Sequence, residues 1–322
     1  MRTAVALAFV LGLPPLADAT PLHLRKPTRG FQMKTSEFTI RPGQDLEVCE
    51  YRRLPNRKAV DVTGFDLSMP AGAHHFVVWA YGGNTTDDSQ FPQDPVESVA
   101  CTGASPDELL PQVLIPIQNP NTRFTFPRGI ALRIEPHQQV WLNPHLKNLG
   151  STPIIPDIRF NFRTAKKGTV KHHAQGLIAG NMSEINVPAG GDQTITAEWT
   201  APVDLTLIHL ATHQHQLGTY ANIELVAPDG VQRIYENFDW QHPQGYWPNP
   251  AIRLAAGQKM RITCTWHNPG ERAVRFGPET TDEMCFILGF YYRDDETAPV
   301  AAGQCVPAKH GLLCPFAPAV AR

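Results

Sequence analysis

The sequence predicts an all-β chain of two antiparallel jelly-roll β-sandwich domains in tandem. Three observations carry that expectation. Short runs rich in Val, Ile, Thr and Phe recur at a rhythm of about 8–12 residues. Turn residues punctuate them, with 30 Pro and 24 Gly in 322 residues, proline standing well above its usual share of about 5%. No long stretch shows the 3.6-residue apolar period of an amphipathic helix.

A chain of 322 residues is long for one domain and comfortable for two. Met1-Arg2, the apolar stretch Ala4 to Leu13 and the small-x-small pattern Ala17-Asp18-Ala19 read as a signal peptide over residues 1–19. That stretch is too short to span a membrane. Thr20 to Arg29 reads as a flexible lead. Strand-type segments follow at Ser36–Ile40, Leu46–Tyr51, Ala59–Met69 and His74–Tyr81, then at Arg123–Phe126, Ala131–Ile134, Gln138–Leu142 and Asp157–Thr164. Pro106 to Leu110 reads as one short helical turn. Thr164-Ala165-Lys166-Lys167-Gly168 is the best boundary, placing the first domain at residues 20–165 and the second at 166–296. Strands in the second half are expected at Gly176–Ile178, Glu184–Val187, Gln193–Trp199 and Leu205–Ala211. Four more fall at Ala221–Val226, Gln232–Asn237, Lys259–Trp266 and Cys285–Tyr292. Pro188-Ala189-Gly190-Gly191 and Pro228-Asp229-Gly230 mark turns between them. Residues 297–322 form an Ala/Pro-rich tail that a Cys305–Cys314 bridge would pin as a small loop.

Net charge is −2 and no Lys/Arg block stands out, so a nucleic-acid partner has no electrostatic support. After the leader no stretch approaches the length of an apolar membrane span. The expectation is an exported protein, secreted or periplasmic. Export places the six cysteines in an oxidising compartment. Six allow 15 pairings, and their distribution suggests a sequential scheme: Cys49–Cys101, Cys264–Cys285 and Cys305–Cys314. None forms C-x-x-C, which argues against a zinc knuckle or a thioredoxin-like site. Asn84 and Asn181 stand in glycosylation acceptor patterns.

The chemistry-bearing feature is His213-Gln214-His215 in a strand-like run. Strand side chains alternate, so both imidazoles project to one face and can close on one ion. Met284, beside Cys285, is a candidate third ligand, and a Cys264–Cys285 bridge would fix the backbone next to it. The first half offers His74-His75, with His145 as the nearest good third donor. Adjacent strand residues face opposite sides, so using both His74 and His75 requires a bulge, which Gly72 would permit. Three imidazoles suit zinc, copper or iron, whereas two imidazoles and a thioether favour copper, above all Cu(I). No H-E-x-x-H, G-x-S-x-G or phosphate loop is present. Copper is therefore the better reading. His209 shares parity with the pair but reads as a packing residue; His172-His173 read as solvent-exposed, and His137, His242 and His267 as loop residues. Two rivals remain: a copper-binding or copper-storage protein without turnover, and an adhesion module with incidental histidines.

With these residues in hand, the chain resembles the copper type II ascorbate-dependent monooxygenases, the family of dopamine β-hydroxylase and peptidylglycine α-hydroxylating monooxygenase. The resemblance rests on His74-His75, His145 followed by Asn148, Thr212-His213-Gln214-His215 with Gly218, and Asp282-Glu283-Met284-Cys285 leading to Tyr291-Tyr292. It implies two jelly-roll domains, each with one copper, facing each other across a solvent-filled cleft. His74, His75 and His145 would hold an electron-storing copper; His213, His215 and Met284 would hold the copper that meets O₂ and substrate. Ascorbate would reduce both ions, and the product would be a small substrate hydroxylated at an aliphatic or benzylic C–H. One departure matters. Where the peptide-amidating branch anchors a substrate carboxylate, this chain has Ala211, Phe286 and Leu288, which argues against peptidylglycine.

Overall fold

Lys259–Asn268 buries Met260, Ile262, Cys264 and Trp266 and turns the residues between them outward. That period of two is what a strand with one face on a core requires. The computed structural model describes residues 24–70, 72–81, 94–97, 111–180, 184–228, 230–277, 281–295, 306–308, 311–315 and 317–318. Among the described residues every regular element is a strand. The signal peptide, Pro106 to Leu110, Asn84, Asn181, Cys101 and Cys305 lie outside them.

The first half holds β1 (Gly30–Lys34), β2 (Asp45–Arg53), β3 (Val60–Ser68), β4 (Ala73–Tyr81) and β5 (Val96–Glu97). It continues with β6 (Pro111–Ile117), β7 (Arg123–Thr125), β8 (Ile130–Ile134), β9 (Gln139–Lys147) and β10 (Arg159–Thr164). The second half follows with β11 (His172–Gly180), β12 (Asn186–Val187), β13 (Gly191–Thr200), β14 (Leu205–His213), β15 (Gly218–Ala227) and β16 (Gly230–Asn237). Then come β17 (Ile252–Leu254), β18 (Lys259–Asn268), β19 (Val274–Arg275) and β20 (Phe286–Tyr292), and the tail adds β21 (Val306–Ala308), β22 (Gly311–Pro315) and β23 (Ala317–Pro318).

Two antiparallel sandwiches share one sheet. An 11-stranded sheet runs β1-β10-β3-β8-β11-β20-β14-β17, with β7, β21 and β22 attached. Its first half packs on the five-stranded sheet β5-β2-β9-β4-β6, and its second half on β16-β15-β18-β13-β23. The halves join where β8 pairs in parallel with His172–Ala174 at the start of β11. Each sandwich has its own core, one around Phe65, Phe76, Phe160 and Phe162, the other around Trp199, Ile262, Trp266 and Tyr291. Ile208 and Phe290 from the second half nonetheless belong to the first core. Phe290 lies 5.4 Å from Phe124 and 5.0 Å from Phe126, so an aromatic seam ties the halves together.

One device closes a central strand in both halves. At the end of β9, Asn148 Nδ2 donates to the carbonyls of Ile40 and Thr152, while its Oδ1 accepts from Gly150 N–H. At the end of β18, Asn268 does the same with Val187, Arg272 and Gly270.

Two expectations shift, and one strand has no counterpart in the sequence reading. Ser36–Ile40 is not a strand beyond a single bridge at Ile40; Glu50 takes the Ser36 N–H at 2.8 Å, and the strand lies earlier, at β1. β6 escapes a pattern reading because Pro111 and Pro116 interrupt it, and it is accordingly an edge strand, paired among the described residues only with β4. The tail, expected as a pinned loop, supplies β22, which pairs in parallel with β11 beyond the short reach of β8 and so covers an open edge.

His209 sits in the seam against Phe124 at 5.2 Å and Trp247 at 4.7 Å, its Nδ1 buried without a partner. Burial pushes its pKa down to about 4. An unfolded chain takes up the proton below about 6.5 while the folded one does not, so stability present above 6.5 is lost as pH falls toward 4. The variant His209→Leu should lose less stability than wild type over that interval, by up to about 3 kcal/mol. Urea midpoints against pH check this; parallel profiles would contradict it.

Candidate metal centre

The His74-His75 pair lies at the start of β4, where the register with β9 shifts between Ala73 and His75. This is the bulge that such a pair needs to turn both rings one way. Gly72 makes it possible: its φ is +85°, and a Cβ there would meet the Lys147 carbonyl oxygen at 2.7 Å. His145 lies opposite His75 on β9, directly after Pro144. Proline brings no N–H to the ladder, and the β2/β9 pairing skips from Glu47↔His145 to Glu50↔Leu142. The Asn143 side chain fills part of the gap by donating to the Val48 carbonyl. Ring centroids in this set lie 5.2 Å (His74–His75), 5.3 Å (His74–His145) and 5.0 Å (His75–His145) apart. One ligand atom from each falls within 4.8 Å of the others.

Each of these rings keeps one buried nitrogen without a hydrogen-bond partner: Nε2 of His74, Nδ1 of His75 and Nδ1 of His145. Orphaned buried polar atoms are rare and need a reason, and a bound cation supplies one. Two of the far nitrogens are held by carboxylates, His145 Nε2 by Asp45 Oδ1 at 2.7 Å and His75 Nε2 by Glu47 Oε1 at 3.3 Å. Carboxylates behind imidazoles are the usual support of metal-ligating histidines. The residues fit a metal, and the donor type admits copper.

The second set forms where β14 ends. His213 is its last residue and His215 follows just beyond, their rings 5.1 Å apart. His213 pairs with Phe286 on β20, and their rings lie parallel at 6.4 Å. The His215 Nδ1 meets the Asp282 carbonyl at 3.1 Å, and the His213 Nδ1 faces Gln118 Oε1 at 3.3 Å. Both far nitrogens thus rest on neutral oxygens. Glu283 is fully buried and binds this corner together. Its carboxylate accepts from His215 N–H (3.0 Å), Leu217 N–H (2.7 Å), Trp266 Nε1–H (2.7 Å) and Met284 N–H (3.3 Å). Burial pushes this carboxyl up to about 7 against the pull of those four donors. Next in sequence, half-buried Met284 precedes Cys285, which is bonded to Cys264 with a Cα–Cα distance of 6.1 Å. Cys49 is likewise disulfide-bonded.

The two sets meet. His74 lies 6.4 Å from His213 and 6.2 Å from His215 by ring centroid, and the five histidines are only 2–9% exposed. A solvent-filled cleft was the expectation; the shared sheet and its aromatic seam instead bring the sets into one buried cluster. Trp240 lies 5.4 Å from His74, and its carbonyl accepts from Gln118 Nε2 at 3.3 Å. Burial, reinforced by the neighbouring rings, pushes His74 down to about 2 and His213 well below its ordinary value. Burial also lowers His75, against the pull of Glu47. All three stay neutral at physiological pH, the state that ligation requires.

Other histidines fall elsewhere. His172 is half-buried and stacks on Tyr292 at 4.3 Å, and His173 faces Asp61 at 3.3 Å, so neither is simply solvent-exposed. His242 faces Asp239 and His267 faces Asp192 on the surface. Pattern reading passed over Asp45, Glu47, Gln118 and Trp240. A signal existed for two of them: Asp45 and Glu47 flank Leu46, and strand parity puts both on the face opposite to it.

Residues 177–310 match the family model described as the copper type II ascorbate-dependent monooxygenase C-terminal domain. None of the curated proteins compared matches the chain. Among solved structures, the STIV MCP is 10% identical, with 84% of this chain and 95% of that chain covered and a TM-score of 0.31. A structure of the infectious bursal disease virus Gx strain is also 10% identical, with 84% and 74% covered and a TM-score of 0.20. Likeness that slight carries no argument about function. The family match coincides with the segment that supplies His213, His215, Glu283 and Met284, so residues 177–310 are similar to a copper type II ascorbate-dependent monooxygenase C-terminal domain.

Proposed function

We propose that the protein is an exported copper-dependent monooxygenase. It hydroxylates an aliphatic or benzylic C–H of a small substrate, with O₂ as oxidant and ascorbate as reductant. The observation that carries this reading is the convergence of His74, His75 and His145, each with an orphaned buried nitrogen, on a family-matched His213/His215/Met284 corner. Residues 20–165 and 166–296 are the two copper domains, and Cys49–Cys101 and Cys305–Cys314 complete the disulfide set.

Copper held by these residues supplies one-electron redox chemistry and the activation of O₂ toward a C–H bond. The chain's own residues make that possible. His75 and His145 give their far nitrogens to Glu47 and Asp45, which fixes ring orientation and leaves Nδ1 of each without a hydrogen-bond partner. His213 and His215 are oriented by Gln118 and the Asp282 carbonyl, which leaves Nε2 of each as the outward nitrogen. Glu283 aligns the two chain segments that carry His215 and Met284. Aromatic rings flank the histidines: Phe286 lies against His213, Phe276 packs on Phe286 at 6.3 Å, and Trp240 lies beside His74. Such a surface suits an apolar substrate and keeps water from competing for the oxidant. Ala211 and Leu288 face each other across β14 and β20, so no charged anchor for a carboxylate stands there. A copper store on the same scaffold would hold the metal without consuming O₂.

Metal analysis after anaerobic copper loading should give two ions per wild-type chain and one for His145→Ala, which should also fail to turn over repeatedly. A variant still holding two would contradict the ligand set. Replacing His213 by Ala should abolish ascorbate-driven O₂ uptake and product formation; unchanged hydroxylation would sink the enzyme reading. Glu283→Gln turns one acceptor oxygen into a donor among four N–H groups, and should lower unfolding free energy by about 1–3 kcal/mol. Chemical denaturation of the metal-free chain reads this directly.

A further inference from the structure

The two histidine sets are backed by different chemistry. Behind His145 and His75 stand the carboxylates of Asp45 at 2.7 Å and Glu47 at 3.3 Å. Behind His213 and His215 stand the Gln118 amide oxygen at 3.3 Å and the Asp282 backbone carbonyl at 3.1 Å, both neutral. The difference is built into the fold. Strand parity on β2 puts Asp45 and Glu47 on one face, and the break in the β2/β9 ladder beside Pro144 sets His145 opposite Glu47 and next to Asp45. Glu47 is nearly buried, with a side chain 13% exposed, and Asp45 is half-buried at 29%. Lys147 Nζ approaches Asp45 only at 3.8 Å and is itself half-exposed, so solvent screens most of its pull.

A carboxylate accepting an imidazole N–H draws electron density onto the ring and makes the other nitrogen a stronger donor. The more highly charged oxidation state of a bound metal gains most from such a donor, whereas neutral backing and a soft thioether favour the reduced state. We propose that Asp45 and Glu47 are positioning residues that bias the His74/His75/His145 set toward Cu(II) relative to the His213/His215/Met284 set. This rests on the copper reading above. It assigns to two acidic side chains the sense of the potential difference between the two metals.

The test uses the full-length chain and copper alone. Asp45→Asn and Glu47→Gln keep shape and hydrogen-bonding capacity but remove the charge. Anaerobic competition against chelators gives Cu(II) and Cu(I) affinities, and potentiometry followed by electron paramagnetic resonance gives the potential of each set. Each variant should weaken Cu(II) at the three-histidine set about 10–100-fold while changing Cu(I) little. That raises its potential by about 59 mV per tenfold and leaves the other set unmoved. Metal-free denaturation midpoints should stay near wild type. Unchanged affinities and potentials in both variants would overturn the proposal, as would a loss of metal-free stability with no change in potential. A wild-type chain that binds two coppers while its variants behave identically sinks this inference alone; a wild-type chain that binds none at His74, His75 and His145 sinks the functional reading with it.

Discussion

Everything in this structure has to accommodate five imidazoles buried within one cluster. Burial holds His74 down to about 2, lowers His75, and puts His213 well below its ordinary value. A neutral imidazole still carries an in-plane lone pair, and three of these, on His74, His75 and His145, find no partner in the protein. Leaving such groups unmet costs about 1–3 kcal/mol each. Three of them converging from β4 and β9 fit a bound cation.

The architecture explains how the cluster is held. Each sandwich builds its own core, an aromatic seam through Phe124, Phe126, His209 and Phe290 ties the two, and the cluster draws on β4 and β9 from one sandwich and the end of β14 from the other. Local irregularities then aim the side chains: the bulge at Ala73/His75, the ladder gap beside Pro144, and the Glu283 carboxylate with its four N–H donors. None is a regular strand feature, and each sits next to a histidine of the cluster.

Much of this was legible in the sequence because it is local. The H-x-H spacing gives one face, a His-His pair in a strand demands a bulge, and the rhythm of short apolar runs gives an all-β chain. What stayed hidden depends on contacts between distant segments. Asp45 reaches His145 across 100 positions and Gln118 reaches His213 across 95, and no spacing rule connects them. The parallel join of β8 to β11 is equally silent, because parallel pairing leaves no turn signal, and with it went the convergence of the two histidine sets. β6 was masked by its own prolines, which mark an edge only once the sheet order is known.

If the buried lone pairs exist for a metal, folding and copper binding must be linked. The most direct measurement is anaerobic chemical denaturation of the full chain with and without Cu(I). A resident metal raises the unfolding free energy as its concentration grows, by about 3 kcal/mol at a hundred times its dissociation constant. The account predicts that rise, and predicts that it continues logarithmically with free copper after both sets are filled. Superimposable curves across all copper concentrations would contradict it.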